Sequence, residues 1–263
     1  MGVKSILKRR RFRGIASSLL EAERARSPLS INDVPFLSEE DGYRIQMLVR
    51  EHAAERGDEP AGYKISMTSS EIQASLGTDQ PGIGFLRKSR ILQSPARVRA
   101  SDLSEPMIES ELVFVVMEEL PARPSEQDLL EGTRVAAGIE IPDSRFAQWF
   151  GRLPVGALLA DSAVAGLVVW SPTISEWTFA SVAQTRVELR LEDGVIAEGQ
   201  ADYVMGNPAH ALTWLAQKLS ERGSRLMKGD VVSSGTFHLP MTLRPGRYTA
   251  RFDGFGEAEV LVT

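Results

Sequence analysis

The stretch IESELVFVV, residues 108–116, constrains the fold more than any other part of the chain. It is apolar or β-branched through most of its length, Pro106 precedes it and Glu118-Glu119 follow, which predicts a strand. Side chains two apart on a strand share a face. One face therefore carries Glu109, Glu111, Val113 and Val115, and the other Leu112, Phe114 and Val116, so burial is expected on both. Two carboxylates at one end of such a strand repel each other and lose hydration. VAAGIEIPDSRF, residues 135–146, repeats the anomaly with Glu140 between Ile139 and Ile141. Alternating charge on a strand is ordinarily a solvated sheet face. The apolar company of these three glutamates points instead to an all-oxygen site for a hard divalent ion, Mg²⁺ or Mn²⁺.

Other metal chemistries find little support. The chain has no cysteine, which excludes disulfides, thiolate ligands and a cysteine nucleophile and fits a reducing, cytoplasmic compartment. Its three histidines, His52, His210 and His238, lie far apart, against a histidine-rich site. A formal net charge of −5 argues against nucleic acid as partner. No apolar run approaches the roughly 20 residues of a membrane span. The start, MGVKSILKRRRFRG, is too basic and too poor in apolar residues for a secretory leader, and is expected to be a solvated tail or a first helical turn. With 263 residues the chain can bury a sizeable core.

The first sixty residues read as a helical cap. RGIASSLLEAERAR (13–26) is helix-forming and ends at Ser27-Pro28. Ser38 is a good N-cap for a second helix, with Glu39, Glu40 and Asp41 in its first turn and Gly57 as its stop. Tyr43 and Gln46 share a face of that helix, where they either pack or contact a site. GYKISMT then predicts a strand, with Lys64 either snorkelling to water or meeting an anion, and SSEIQASLG a short helix capped by Ser69 or Ser70. Asp79 lies in the turn-rich stretch 77–84, which matches no phosphate-binding fingerprint. Residues 86–105 read as polar connection. Beyond the two glutamate strands, ALLADSAVAGLVVW turns through Asp161-Ser162 into a further strand, RVELRLEDGVIAEGQA is a hairpin turning at Asp193-Gly194, and GNPAHALTWLAQKLSERG is a helix capped by Asn207, with Pro208 at its first position and Gly223 at its end. More strands follow to the C-terminus. Many strands not interleaved regularly with helices predict an α+β protein with a dominant mixed or antiparallel sheet system. The expected division is a helical cap over 1–60 and a β-rich domain with the metal site over 61–263.

The ordered stretches EEDGYRIQ, GYKISMTS, GTDQPGIGFL, IESELVFVV, AAGIEIPDSRF, LADSAVAG, GNPAHALTWLAQKL and KGDVVSSGTF resemble the 2-keto-4-pentenoate hydratase and 4-oxalocrotonate decarboxylase group of the fumarylacetoacetate hydrolase superfamily. The likeness runs from about residue 38 to the C-terminus. It implies a β-rich sandwich or roll with an N-terminal helical part, and a divalent metal on Glu109, Glu111 and Glu140. It also implies Lys64 facing the carboxylate or enolate of a 2-oxo or 2-hydroxy-dienoate acid, and Asp79 moving protons along the carbon chain. Asp161 and Ser162 join Tyr43 and Gln46, whose case rests on their shared helix face, as candidate substrate contacts. Hydration of a 2-hydroxy-2,4-dienoate in aromatic catabolism is the leading activity it implies. Decarboxylation of a 2-oxo-3-enedioate, C–C hydrolysis of an acylpyruvate and a non-catalytic partner role beside a related enzyme are the alternatives, and a homo-oligomer is expected. The chain departs from the family at Ser162, where asparagine is usual, at Gly82-Ile83, where an Asp-aromatic pair is expected, at Ser66, where glycine is common, and at Glu257 after Gly256, where a small residue is usual.

Overall fold

The computed structural model describes residues 3–263, with side chains from residue 6 onward; Met1 and Gly2 of the basic start lie outside the described residues. Seven α-helices alternate unevenly with thirteen strands among the described residues. The helices are α1 (Val3–Ala25), α2 (Glu39–Ala54), α3 (Ser70–Leu76), α4 (Glu126–Gly132), α5 (Val155–Ala160), α6 (Phe179–Ala183) and α7 (Pro208–Glu221). The strands are β1 (Pro60–Ser66), β2 (Gly82–Arg87), β3 (Ile91–Gln93), β4 (Ala96–Val98), β5 (Met107–Val116), β6 (Thr133–Ile141), β7 (Leu167–Trp170), β8 (Arg186–Leu191), β9 (Gly194–Gln200), β10 (Val231–Thr236), β11 (Met241–Thr242), β12 (Gly246–Phe252) and β13 (Gly256–Val262).

Helix ends follow local chemistry. The Ser38 side chain accepts from Asp41 N at the start of α2, Ser69 from Ile72 N at α3, and Asn207 from Ala209 N at α7. Gly77 closes α3 at φ +70°, a conformation glycine reaches without steric cost. No helix among the described residues is long and apolar enough to cross a membrane.

The strands form two sheets. The larger is mixed and runs β2-β1-β10-β5-β6-β7-β3, with β11 on the end of β5; the smaller runs β4-β13-β12-β8-β9. Strands β12 and β13 lie across β6, and one hydrophobic cluster joins both sheets with residues of α1, α2 and α7, including Phe12, Leu19, Ile45 and Leu215. The N-terminal helices therefore share their core with the sheets. The architecture is the expected α+β with a β-rich two-sheet centre.

Two expectations need correction. Residues 86–105 hold β3 and β4, which join different sheets by parallel pairing, β3 to β7 and β4 to β13. Three-residue strands added in parallel carry too short a pattern to be read locally. The β8–β9 hairpin turns at Glu192-Asp193, with Glu192 at φ +50°, and Gly194 already belongs to β9.

The link from α5 to β7 is the strained part of the backbone. Ser162, Ala163 and Val164 stand consecutively at φ +53°, +52° and +55°, a left-handed turn built without glycine. Each such residue costs about 1–2 kcal/mol. A buried clamp holds it. The Arg145 guanidinium donates to the Asp161 carboxylate, to the carbonyls of Asp161 and Asp143, and to that of Ala165 at 2.5 Å. Ser144 Oγ and Arg145 N donate to the same Asp161 carboxylate at 2.8 and 3.0 Å. Burial pushes the Asp161 carboxyl up to about 6, against the pull of Arg145 and these donors, so it is ionised at neutral pH. Arg145 stays charged: burial opposes this, but Asp161, Glu23 and Asp143 outweigh it. Arg145→Met should leave Asp161 buried and unpaired and cost about 3–5 kcal/mol in chemical denaturation; a loss under about 1 kcal/mol would mean that the clamp does not hold the turn.

Candidate active site

Strand pairing assembles the site. Glu109 on β5 pairs directly with Glu140 on β6, so both side chains leave the same face of the large sheet. Glu111 shares that face two residues along. Lys64 reaches it from two strands away, because Lys64 on β1 pairs with Ser233 on β10, which pairs with Val113 on β5. The three glutamates each offer a carboxylate oxygen within 4.8 Å of the others, and all are buried at 9%, 1% and 0% exposure.

Each carboxylate is held differently. Glu111 Oε2 accepts from Ser233 Oγ at 2.5 Å and from Gly235 N at 2.9 Å. Both donors are aimed by a register shift in β10 between Ser233 and Thr236. Gly235 sits there at φ +111°, where a Cβ would lie 2.6 Å from the Thr68 side chain, so the bulge requires glycine. Among the described residues Glu140 receives no hydroxyl or amide donor on either oxygen; its near neighbour is Lys64, whose Nζ lies 2.5 Å from Oε1. Lys64 is itself 3% exposed.

The charge does not balance. Three carboxylates and one ammonium leave two negative charges in a buried site, the charge of one divalent cation. Without a cation, burial first and Glu140 second push Glu109 up to about 7. Burial and Glu109 push Glu111 to about 7. Burial pushes Glu140 to about 8 although Lys64 opposes it. Burial alone would depress Lys64, but Glu140, Glu109 and Glu111 outweigh it and raise its pKa, so it stands as a fixed ammonium. The hard oxygen donors, their spacing and the charge deficit fit Mg²⁺ or Mn²⁺.

Lys64, Glu109 and Glu111 line the buried end of a cavity of about 270 Å³, and the fully buried Glu140 lies against them outside that lining. Lys64, Glu109, Glu111, Ser66, Thr68 and Thr236 line that end, and Ile72, Leu76, Trp149, Phe150, Leu153 and Leu239 line much of the rest.

The other expected site residues are not on this wall. Gln46 Nε2 donates to the carbonyls of Ile83 at 2.8 Å and Leu159 at 2.7 Å, and the Tyr43 hydroxyl accepts from Ile83 N at 3.1 Å. They pin α2 to β2 and α5, because main-chain groups at those strand and helix ends need partners. Asp161 precedes and Ser162 opens the left-handed turn, which meets the wall at Val164, and Ser162 O packs where a side chain on Gly84 would lie, 2.1 Å from its Cβ. Asp79 is exposed on the loop after α3 and outside the wall, so this arrangement does not bring it to the carboxylates.

Two departures from the family pattern form a pair. Ser66 and Gly82 are cross-strand partners, and a Cβ on Gly82 would lie 2.9 Å from Ser66 Oγ and 2.6 Å from Met67 Cε. The Ser66 side chain fills space that a larger residue at 82 would need, so glycine-to-serine at one position and loss of a side chain at the other compensate in volume.

Sequence reasoning missed Ser233, Gly235, Trp149 and Arg145. The run Ser233-Ser234-Gly235 inside an apolar strand was the available signal, since small residues and glycine there mark a bulge. Arg145 beside the buried Glu140 strand was a second.

No protein-family model matches the chain. A 2-keto-4-pentenoate hydratase from Burkholderia vietnamiensis (strain G4 / LMG 22486) is 30% identical over 224 residues, covering 84% of this chain and 85% of that protein. The chain belongs to the 2-keto-4-pentenoate hydratase and 4-oxalocrotonate decarboxylase family. Within that family, 2-keto-4-pentenoate hydratase 1 from Dechloromonas aromatica (strain RCB) is 29% identical over 252 residues, 94% of this chain and 95% of that one. The solved 4-oxalocrotonate decarboxylase from Pseudomonas putida G7, complexed with magnesium and adipate, shares the fold at a TM-score of 0.89, with 24% identity over 97% of this chain and 98% of that one.

Because a cation must displace protons held at about 7 to 8, its affinity should rise with pH across pH 6–8. Titrating Mn²⁺ calorimetrically in buffers of differing ionisation enthalpy should register proton release at pH 6.5. Affinity independent of pH over this range would contradict the carboxylate cage. The carboxyls' raised folded values also make the metal-free fold lose stability as pH climbs from their unfolded range, near 4.5, through 7 and 8, and bound metal should cancel that loss.

Proposed function

We propose that this chain is a divalent-metal-dependent hydratase that adds water to a 2-hydroxy-2,4-dienoate. The observation that carries the reading is the unbalanced trio Glu109, Glu111 and Glu140, of which Glu109 and Glu111 line a largely apolar cavity. The trio would hold Mg²⁺ or Mn²⁺, which supplies Lewis-acid stabilisation of negative charge at the C2 oxygen of a 2-oxo acid. Membership in a family whose relatives include the hydratases named above supports the same chemistry.

The protein's own groups divide the remaining work. Lys64 presents a permanent positive charge at the cavity floor; because its pKa is raised, it donates hydrogen bonds to the substrate's developing anion and does not act as a base. Glu111 is kept in one orientation by Ser233 and Gly235, so the cage is formed before the substrate arrives. The apolar wall keeps bulk water from the conjugated chain and strengthens these charges. Proton movement along the carbon chain is assigned to Asp79, carried on the loop between α3, a wall element, and β2; that loop has to close over the mouth to deliver it. A homo-oligomer is part of this reading, supported by the exposed apolar side chains of Leu7, Phe36 and Met47, which lie outside the cavity lining.

Decarboxylation of a 2-oxo-3-enedioate draws on the same charge stabilisation, and product analysis separates the two. With Mg²⁺, 2-hydroxypenta-2,4-dienoate should lose its ultraviolet absorbance without release of CO₂, and EDTA should stop the loss. Metal-dependent CO₂ release from 2-hydroxymuconate, with no hydration of the monoacid, would make the decarboxylase correct. Lys64→Met should cut kcat/KM at least about 100-fold, in line with loss of one preorganised charge, while Mn²⁺ still binds. Asp79→Asn should lower kcat with KM nearly unchanged; unaltered kcat would remove Asp79 from the proton path.

A further inference from the structure

We infer that the outer half of the cavity selects substrates with an uncharged apolar tail of several carbons beyond C5 and rejects a second carboxylate, with Glu71 and the Ile72–Leu76 side of α3 as the selecting elements. This rests on the hydratase reading, because that reading sets the anionic head of the substrate against the Glu109–Glu111–Lys64 end.

The wall is asymmetric in charge. Among the described residues its charged members are Lys64, Glu71, Glu109 and Glu111, with no arginine or second lysine. Lys64 lies at the inner end against Glu140, where the substrate's head is placed. Arg152 sits between wall residues Gly151 and Leu153, but its guanidinium donates to Gln148 Oε1 at 2.8 Å, off the wall. A dicarboxylate bound by its head would therefore find no cation for its far carboxylate on this wall, whose charged group away from the carboxylate cage is Glu71 and whose α3 side otherwise offers Ile72, Ser75 and Leu76, so it would lose hydration and face a like charge.

The same surfaces suit a hydrocarbon tail. Trp149 and Phe150 pack edge to face with ring centroids 5.5 Å apart, and Trp149 is oriented by its Nε1 donating to Glu105 O at 2.9 Å. Leu153 and Leu158 are 3% and 7% exposed and form the deep side, whereas Phe150 and Leu239 stand 51% and 57% exposed at the mouth. A cavity of about 270 Å³ with this much apolar lining leaves room beyond a five-carbon acid. Each methylene added beyond C5 buries apolar surface there and tightens binding about fourfold. Glu71 lies in the first turn of α3, exposed and without a role in the fold's core, so it can be exchanged without disturbing the cage.

The test uses the full chain with saturating Mg²⁺ and two readouts. Calorimetry measures binding of unreactive 2-oxopentanoate, 2-oxohexanoate, 2-oxooctanoate and 2-oxoadipate, and kcat/KM is measured for the dienoates of matching tails. Affinity should climb from 2-oxopentanoate to 2-oxooctanoate by at least tenfold, and 2-oxoadipate should bind at least tenfold more weakly than 2-oxohexanoate. Glu71→Lys should raise 2-oxoadipate affinity at least tenfold with 2-oxopentanoate unchanged. A flat or falling trend with length, or tighter binding of the diacid by the native chain, overturns the inference even if dienoates are hydrated. The length trend without hydration of any dienoate would instead uphold the tail pocket and remove the hydratase reading.

Discussion

Three carboxylates buried on one sheet face against a single ammonium are the constraint around which this structure is arranged. Glu109 and Glu140 are forced together by direct strand pairing, and Glu111 follows by the two-residue period of the strand. Charged groups in such surroundings are costly unless paired. The fold answers with Lys64 from across the sheet, with Ser233 and Gly235 on Glu111, and with a charge deficit that a divalent cation cancels. An arrangement this unfavourable without its ion is explained by what the ion does, and the apolar cavity above it indicates that the ion faces a small organic acid.

Much of the surrounding backbone serves this face. The β10 bulge turns two donors onto Glu111. Gly84 has no side chain because Ser162 O lies in that space and Lys64 Cγ is close behind, so the left-handed turn presses against β2 at the residue paired with the lysine. That turn is kept by the Arg145–Asp161 clamp, whose arginine follows the Glu140 strand closely in sequence. Strain in the turn and order in the cage are thus linked through neighbouring residues of one short segment, in keeping with the concentration of backbone strain near functional sites.

The glutamates were legible in the sequence because period-two patterning states which side chains share a face, and carboxylates among Ile and Val contradict that face's apolar character. Helix caps at Ser38, Ser69 and Asn207 were legible for the same reason: the signal is local. Features set by distant pairings were not. The proximity of Lys64 to Glu140 depends on β1 and β5 both flanking β10, which no local pattern reports. Gln46 and Tyr43 were read as site candidates on the strength of a shared helix face, yet the backbone ends they face, at Ile83 and Leu159, come from remote segments. The family resemblance supplied roles for Asp79 and Ser162 that their positions in this structure do not by themselves explain.

The central claim is that Glu109, Glu111 and Glu140 together hold one divalent cation beside Lys64. Crystals grown with Mn²⁺ and measured on both sides of the manganese absorption edge test it directly. One anomalous peak bonded to an oxygen of each glutamate, at about 2.0–2.3 Å as hard-cation–oxygen bonds require, is the expected result. No peak there with the protein otherwise intact, and Lys64 still paired to Glu140 as the centre's sole cation, would contradict the account.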